Sequence, residues 1–443
     1  MIRLPDKYLE KTYAFDRERL AKTELPIITV AGTFREDLKR LYGLPNNNTS
    51  RDVVFSRAHF SMALAIANEM WKGEPKPLKA WMVDPTNYVT LEDWQKITLT
   101  EFVGQTLARN SFLHTLKKFV DAFGRDKLPI LDSITPPLLY LTEDVTRPIL
   151  SFHIAAGNIL AKQGRRVVQM VTDPHVRPEY VTNAMLENIL YCVFDERTQL
   201  EFMEVAALNH VSVNPRRVIV TGPPIDRRTI AARKDKMPWR NGLLKIAVAT
   251  GGLGTNSYEI RQVLSQLLPH LRREPCPYQV VLYAGTQQDI AKMGHDLARE
   301  NHIPVSDIGR TQGRFRIAHH PQILDANELL LRYIFPWADG IITKPSGDMA
   351  YDAVAAGCFL LTLSEWGVWE ERIREIFEQE GIARRAEPDQ LITQLSVLQQ
   401  AMNGKSWIES AMFEALKIDQ SFLTGAERIV KVVKSANKLL LQK

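Results

Sequence analysis

Four stretches of this chain set chemically useful residues close together. His59 lies in Ser56-Arg57-Ala58-His59. An imidazole that titrates near neutral pH and opens a helix can act as a general base, or can simply cap and pack that helix. Asp173 and His175 lie in Thr172-Asp173-Pro174-His175. There a carboxylate can orient an imidazole or receive its proton, unless the Asp-Pro step only makes a turn and the histidine is a surface residue. The run Thr250-Gly251-Gly252-Leu253-Gly254-Thr255 follows an apolar stretch. Such a turn lets backbone N–H groups approach a phosphate beside a helix N-terminus, although the same glycines also suit a purely structural turn. No Gly-Lys-Ser/Thr follows it, and its spacing is not Gly-x-Gly-x-x-Gly, so the Walker and dinucleotide fingerprints are excluded. A second turn, Lys344-Pro345-Ser346-Gly347, leads into Asp348 and Asp352, two carboxylates on one helix face. Either this turn holds a diphosphate while Asp352 accepts hydrogen bonds from ribose hydroxyls, or Asp348 caps the helix and Asp352 is a solvated acid.

The elements that must position these residues alternate between strand and helix. Strands are expected at 52–55, 78–83, 149–152, 167–171, 190–194 and 218–220, with a helix at 60–71. A second set begins near 243, with strands at 244–249, 279–283, 340–343 and 359–363 and helices after the two turns. Alternation of this kind predicts an α/β protein with two doubly wound, Rossmann-like domains. In such sheets, ligands bind at the carboxyl ends of the strands, which is where all four stretches fall. The domains are read as 1–222 and 242–443, with a linker at 223–241, and the last helix is a candidate to pack back on the first domain. The first 50 residues show only a polar run at 45–50. Residues 101–123 carry Phe102, Leu107, Phe112, Leu116 and Phe119 at helical spacing with basic residues beside them. That pattern suits a core helix or one lying on an anionic membrane.

Composition narrows the choices. The 443 residues include 45% hydrophobic and 24% charged side chains, which excludes a disordered or fibrous chain and suits two or three domains. The net charge of +5 is localised. Between Pro215 and Arg240 lie Arg216, Arg217, Arg227, Arg228, Arg233, Lys234, Lys236 and Arg240 against only Asp226 and Asp235. One anion-attracting segment is expected, and not the broad basic face of a nucleic-acid binder. Cys192, Cys276 and Cys358 are far apart and fit neither a zinc site nor a disulfide framework, so a reducing compartment is expected. No signal peptide and no membrane-spanning run is seen.

Taken in order, these stretches resemble the GT-B glycosyltransferases of family 28, and most of all the monogalactosyldiacylglycerol synthase and processive diacylglycerol glucosyltransferase branch. The family's loop ending in His is similar to Ser56–His59 with Phe60-Ser61-Met62-Ala63. Its Thr-Asp-x-His element is similar to 172–175, and its Gly-x-Pro hinge to Gly222-Pro223-Pro224. Its first phosphate loop is similar to 251–254, and its Lys-x-Gly-x-x-Thr-x-x-Glu run to Lys344–Asp352. Ser56, Arg57 and Ala58 stand where the family has glycines. Ser346 replaces a glycine, Met349 a threonine and Asp352 a glutamate. The resemblance implies GT-B architecture, with the two domains facing a cleft. It implies inverting transfer of a sugar from a nucleotide diphosphate donor, a UDP-sugar foremost, to a lipid-linked or other hydroxyl acceptor. An epimerase or hydrolase on this fold, or a non-catalytic sugar-nucleotide binder, are the rival readings. His59, with Asp173 and His175, would be catalytic. Gly251, Gly252, Gly254, Thr255, Lys344, Ser346, Gly347, Asp348 and Asp352 would bind the donor. Gly222, Arg227 and Arg228 would serve the hinge and an anion. No Asp-x-Asp metal box is present, and no cofactor or nucleic-acid partner is expected. The expected location is the cytoplasm or the inner face of the plasma membrane.

Overall fold

A computed structural model describes residues 9–32, 54, 56–90, 92–93, 129–252, 254–402 and 404–441. The expected helix at 101–123 and the polar run at 45–50 lie outside the described residues. The chain forms two compact units, Met1–Asp226 with Ser421–Lys443, and Arg227–Gln420.

The first unit is built on a six-stranded, all-parallel sheet: β1 (Leu25–Ile28), β2 (Ala80–Val83), β3 (Ile149–Ser151), β4 (Val167–Met170), β5 (Ile189–Val193) and β6 (Val218–Val220). The spatial order is β2-β1-β3-β4-β5-β6. Parallel strands need helices over both faces, so they read as continuous apolar runs, and β1, β3, β4 and β5 are buried throughout. The chain leaves β1 for β2 on one side and then crosses to β3 on the other. That reversal opens a crevice beyond the carboxyl ends of β1 and β3.

The strand that feeds His59 is therefore β1. The expected strand at 52–55 falls mostly outside the described residues, and its Val54 forms a lone antiparallel bridge to Gly32. Pro26 hides β1 from a sequence reading, because proline disfavours a sheet interior. Here Pro26 pairs only with Trp81 of β2, and β3 joins from Ile27 onward. The following helix runs Arg57–Trp71, three residues longer at its start than expected. Ser56 is its N-cap and accepts the His59 N–H at 3.3 Å. The helix Ile154–Lys162 lies so close to β4 that a Cβ on Gly157 would fall 1.9 Å from Gln169 Oε1. The last helix, Gly425–Leu441, packs on Arg57–Trp71 and buries Ile429, Val433 and Ala436.

The second unit holds seven parallel strands: β7 (Leu244–Ala249), β8 (Tyr278–Gly285), β9 (Val305–Ser306), β10 (Phe315–His319), β11 (Gly340–Thr343), β12 (Phe359–Thr362) and β13 (Ala383–Arg385). Their order is β13-β12-β11-β7-β8-β10-β9. The reversal here lies between β7 and β11, the two strands that end in the turns at 250–255 and 344–348. Its core is separate from that of the first unit and runs from Leu244 on β7 to Met412 on the helix Trp407–Lys417.

Candidate active site

In the first unit the crevice is lined by the loop after β1, the start of the Arg57–Trp71 helix and the loop after β3. His59 Nδ1 lies 3.2 Å from the carbonyl oxygen of Val30. A carbonyl can only accept, so Nδ1 carries the proton and Nε2 the lone pair, the tautomer a general base needs. The loop after β1 is held from behind by Asp84, at the end of β2. Asp84 Oδ2 accepts the N–H groups of Ala31 at 2.6 Å and Gly32 at 3.2 Å, and Oδ1 accepts that of Thr86 at 3.0 Å. Burial nevertheless lifts the Asp84 carboxyl to about 7, against the pull of these donors.

A second histidine, His153, stands at the matching position after β3 and opens the helix Ile154–Lys162. Its ring meets that of His59 edge to face, with centroids 5.7 Å apart. Its Nδ1 is buried and has no hydrogen-bond partner among the described residues. Burial, with His59 and Arg177 nearby, drives its basicity down to about 3, so it is neutral under ordinary conditions. The sequence reading missed His153, although it follows a strand and opens a helix just as His59 does. Asp173 and His175 lie beyond β4. The carboxylate that holds the His175 ring is Glu201, on the helix Glu196–Leu208, at 2.8 Å from Nδ1. Asp173 instead shares the neighbourhood of Arg177 and Tyr180.

In the second unit the two turns meet. A Cβ on Gly251 would lie 2.6 Å from Lys344 Cε. The stem of Lys344 thus lies on the turn after β7. Its ammonium is salt-bridged to Glu370 on the helix Val368–Gln379, with side-chain exposures of 14% and 2%. Glu370 also accepts the Trp366 N–H at 2.6 Å. Gly254 takes a φ of +64°, and its N–H closes the turn onto Gly251 O at 3.0 Å. Gln287, after β8, donates to Gly252 O at 2.6 Å. Thr255 Oγ1 donates to Asn256 Oδ1 at 2.9 Å, and Asn256 donates to Ser364 O, after β12, at 3.0 Å. Three strand ends are therefore tied to the start of the helix Ser257–Leu267.

At the second turn, Ser346 Oγ accepts the Met349 N–H at 3.3 Å and donates to Asp348 Oδ1 at 2.7 Å. Ser346 thus does the capping, and the Asp348 side chain makes no cap bond. Gly347 is buried beside it. Asp348 and Asp352 are 6% and 8% exposed, so neither is a solvated surface acid.

The expected anion-attracting segment is largely spent on the protein itself. Arg217 donates to Leu186 O. Arg228 NH1 reaches both oxygens of Glu328, at 2.8 and 3.0 Å. Arg233 covers the carbonyls of Ala355, Ala415 and Leu416, at two helix C-termini. Lys236 donates to the carbonyls of Phe335 and Ala338 at 2.7 Å. Arg216, Arg227 and Lys234 remain exposed. The residues read as a linker contain the helix Arg227–Ala232. Gly222, at φ +84°, crosses the returning chain, where a Cβ would fall 2.4 Å from Ser421 O.

No protein-family model and no curated protein sequence matches this chain. Solved structures do match. A putative UDP-N-acetylglucosamine 2-epimerase from Listeria monocytogenes is 12% identical, with a TM-score of 0.50 over 94% of this chain and 97% of the other. The trehalose-6-phosphate synthase OtsA is 14% identical, with a TM-score of 0.50 over 94% and 99%. MurG from Acinetobacter baumannii is 12% identical, with a TM-score of 0.46 over 94% and 99%. The fold is the two-domain α/β architecture of the GT-B type.

Proposed function

We propose that the protein is a glycosyltransferase that moves a sugar from a nucleotide diphosphate donor, a UDP-sugar, to a hydroxyl acceptor with inversion. The observation that carries this reading is the meeting of the turns after β7 and β11, with Lys344 lying on Gly251. That is the position at which a doubly wound sheet takes a phosphate ligand. The turns and Lys344 would stabilise the charge growing on the departing diphosphate. Asp352 would accept hydrogen bonds from the ribose. In the first unit, His59 Nε2 would take the proton of the acceptor hydroxyl as that oxygen attacks the sugar carbon.

Titration calorimetry with UDP-, GDP- and TDP-sugars tests the donor. UDP should bind, and Asp352→Ala should weaken it by roughly 1.5–3 kcal/mol, the worth of a hydrogen bond to a charged group. Binding of no nucleotide by the wild type would end this reading. His59→Ala should lower turnover by a factor on the order of 10²–10⁴ and leave donor affinity unchanged.

The same fold serves a trehalose-6-phosphate synthase and a putative epimerase among the structures above, so fold alone does not choose a reaction. Consumption of donor that requires an acceptor supports transfer. Consumption without one supports an epimerase or hydrolase, and binding without consumption a sensor. The resemblance to lipid-modifying enzymes supports a lipid-linked acceptor met at an anionic surface. With only Arg216, Arg227 and Lys234 of the basic segment exposed beside the outlying Arg240, such docking should be weak and lost at high salt. Sedimentation with anionic liposomes at two salt concentrations checks it.

A further inference from the structure

The residues behind His59 form a closed chain of hydrogen bonds that ends at Asp84. Val30 O faces His59 Nδ1 at 3.2 Å. One residue on, Ala31 O accepts the Ser56 N–H at 2.9 Å, and Ser56 Oγ in turn accepts the His59 N–H at 3.3 Å. The loop from Val30 to Gly32 therefore sets both the ring and the backbone of His59. What sets the loop is Asp84, whose Oδ2 accepts the N–H groups of Ala31 and Gly32. Thr86 locks it from the other side. Its hydroxyl lies 2.8 Å from Gly32 O and 2.6 Å from Asp84 Oδ1. Asp84 is 1% exposed and Thr86 fully buried, so bulk water does not compete for these hydrogen bonds.

We propose that Asp84 is a positioning residue that, through the Val30–Gly32 loop, holds His59 in the Nδ1–H tautomer with Nε2 as the base. The role of the base rests on the functional reading above; the link from Asp84 to the tautomer does not. Without the carboxylate, two buried N–H groups lose their acceptor and must find another, which the Val30–Gly32 backbone can do only by moving. Val30 O then leaves its place opposite Nδ1, and the ring loses the hydrogen bond that favours the proton on Nδ1.

Long-range ¹H–¹⁵N spectra of histidine-labelled protein, with His59 assigned through His59→Gln, read the tautomer directly. The wild type should show one tautomer at His59, and Asp84→Ala a mixture of both. Asp84→Asn keeps an oxygen for Ala31 and Gly32 but sets its NH2 against the Thr86 N–H that Oδ1 accepts in the wild type, so it should restore the single tautomer only in part. Thr86→Val, which keeps the volume and removes only the hydroxyl, should shift the mixture in the same direction by less, and it carries the test if Asp84→Ala does not fold. With a competent donor and acceptor, kcat of Asp84→Ala should fall roughly tenfold to a hundredfold, the scale for a misplaced catalytic group, with donor KM unchanged. In the His59→Ala background the same substitution should add nothing. A single Nδ1–H tautomer persisting in both Asp84→Ala and Thr86→Val would overturn the proposal. A wild type that consumes no donor would overturn the functional reading, and the tautomer would still decide the role of Asp84.

Discussion

In the proposed donor site Lys344 would be the cation that meets a diphosphate, and its ammonium is paired with Glu370. Its partner Glu370 is buried and accepts a backbone N–H as well, so the pair is part of the structure of the turn. A phosphate arriving there meets a salt bridge whose far end repels it. Glu370→Gln should therefore act in two directions. Leaving a largely buried ammonium without its anion should destabilise the second unit by about 3 kcal/mol, the lower end for a broken buried pair. The freed ammonium should bind UDP more tightly. Thermal unfolding and calorimetry on the one variant would show both, and weaker UDP binding would remove Lys344 from the donor site. A different buried acid, Asp16, contributes to the pH response of the first unit. Burial lifts its carboxyl from 3.8 to about 7, although Tyr88 and Trp81 both donate to it. Between those values the folded state holds a proton that the unfolded chain has released, so stability falls as pH rises across that interval. Asp84 adds a slope of the same sign, and His153, whose basicity is driven down to about 3, adds one of opposite sign between that value and 6.5. Asp16→Asn keeps an acceptor for Trp81 and a donor for the Tyr88 oxygen and removes one of these titrations. Its urea midpoint should then drop less than that of the wild type between about pH 4 and about pH 8.

At the scale of elements, glycines show where chain segments touch. In the second unit, the obstacle to a Cβ on Gly251 is the end of a flexible lysine; in the first, the obstacle to one on Gly425 is a backbone oxygen, that of Pro223, at 2.0 Å. Gly251→Ala should thus cost little stability and displace Lys344, weakening UDP binding. Gly425→Ala should cost stability, on the scale of about 1–3 kcal/mol for an overpacked contact, and leave nucleotide binding alone. Unfolding midpoints and calorimetry on the two variants separate these outcomes. The same distinction between local and distant contacts marks what the sequence alone could tell. The strands β2 to β6, and the turns after β7 and β11, were legible because each is written within one strand–turn–helix stretch. The strand β1 was not, because Pro26 broke its pattern, although the apolar run Leu25–Val30 before Ala31-Gly32 was there to be read. Lys344 with Glu370 and His175 with Glu201 are each 26 residues apart, and His59 meets His153 only because β1 and β3 are neighbours. No local spacing announces such pairs. The parallel order of the strands creates them, and the order itself follows from packing that the sequence pattern leaves open.

At the scale of the whole molecule, the chain enters its second unit at Arg227 and comes back to the first at Ser421. The last residues therefore belong to the unit that the first residues begin. Their helix covers Arg57–Trp71, the helix that carries His59, with Ile429, Val433 and Ala436 buried. The buried core of the second unit runs along the chain to Ala415, short of Ser421. Deleting residues 421–443 should consequently separate two stabilities that a single melting curve would blur. Each buried Ile or Val is worth about 1.5–3 kcal/mol, and Ile429, Val430 and Val433 go together, which approaches the net stability of about 5–15 kcal/mol of an ordinary domain. The crossing at Gly222 and Gly425 goes with them. Hydrogen exchange on the truncated chain should find the amides of β3, β4 and β5 unprotected and those of β7, β8 and β11 protected as before. UDP should still bind, because both turns of its proposed site lie in the second unit. Equal loss of protection in both units would mean that the second cannot stand without the first. Full protection of β3 to β5 would mean that the last helix is an ornament on a core already complete.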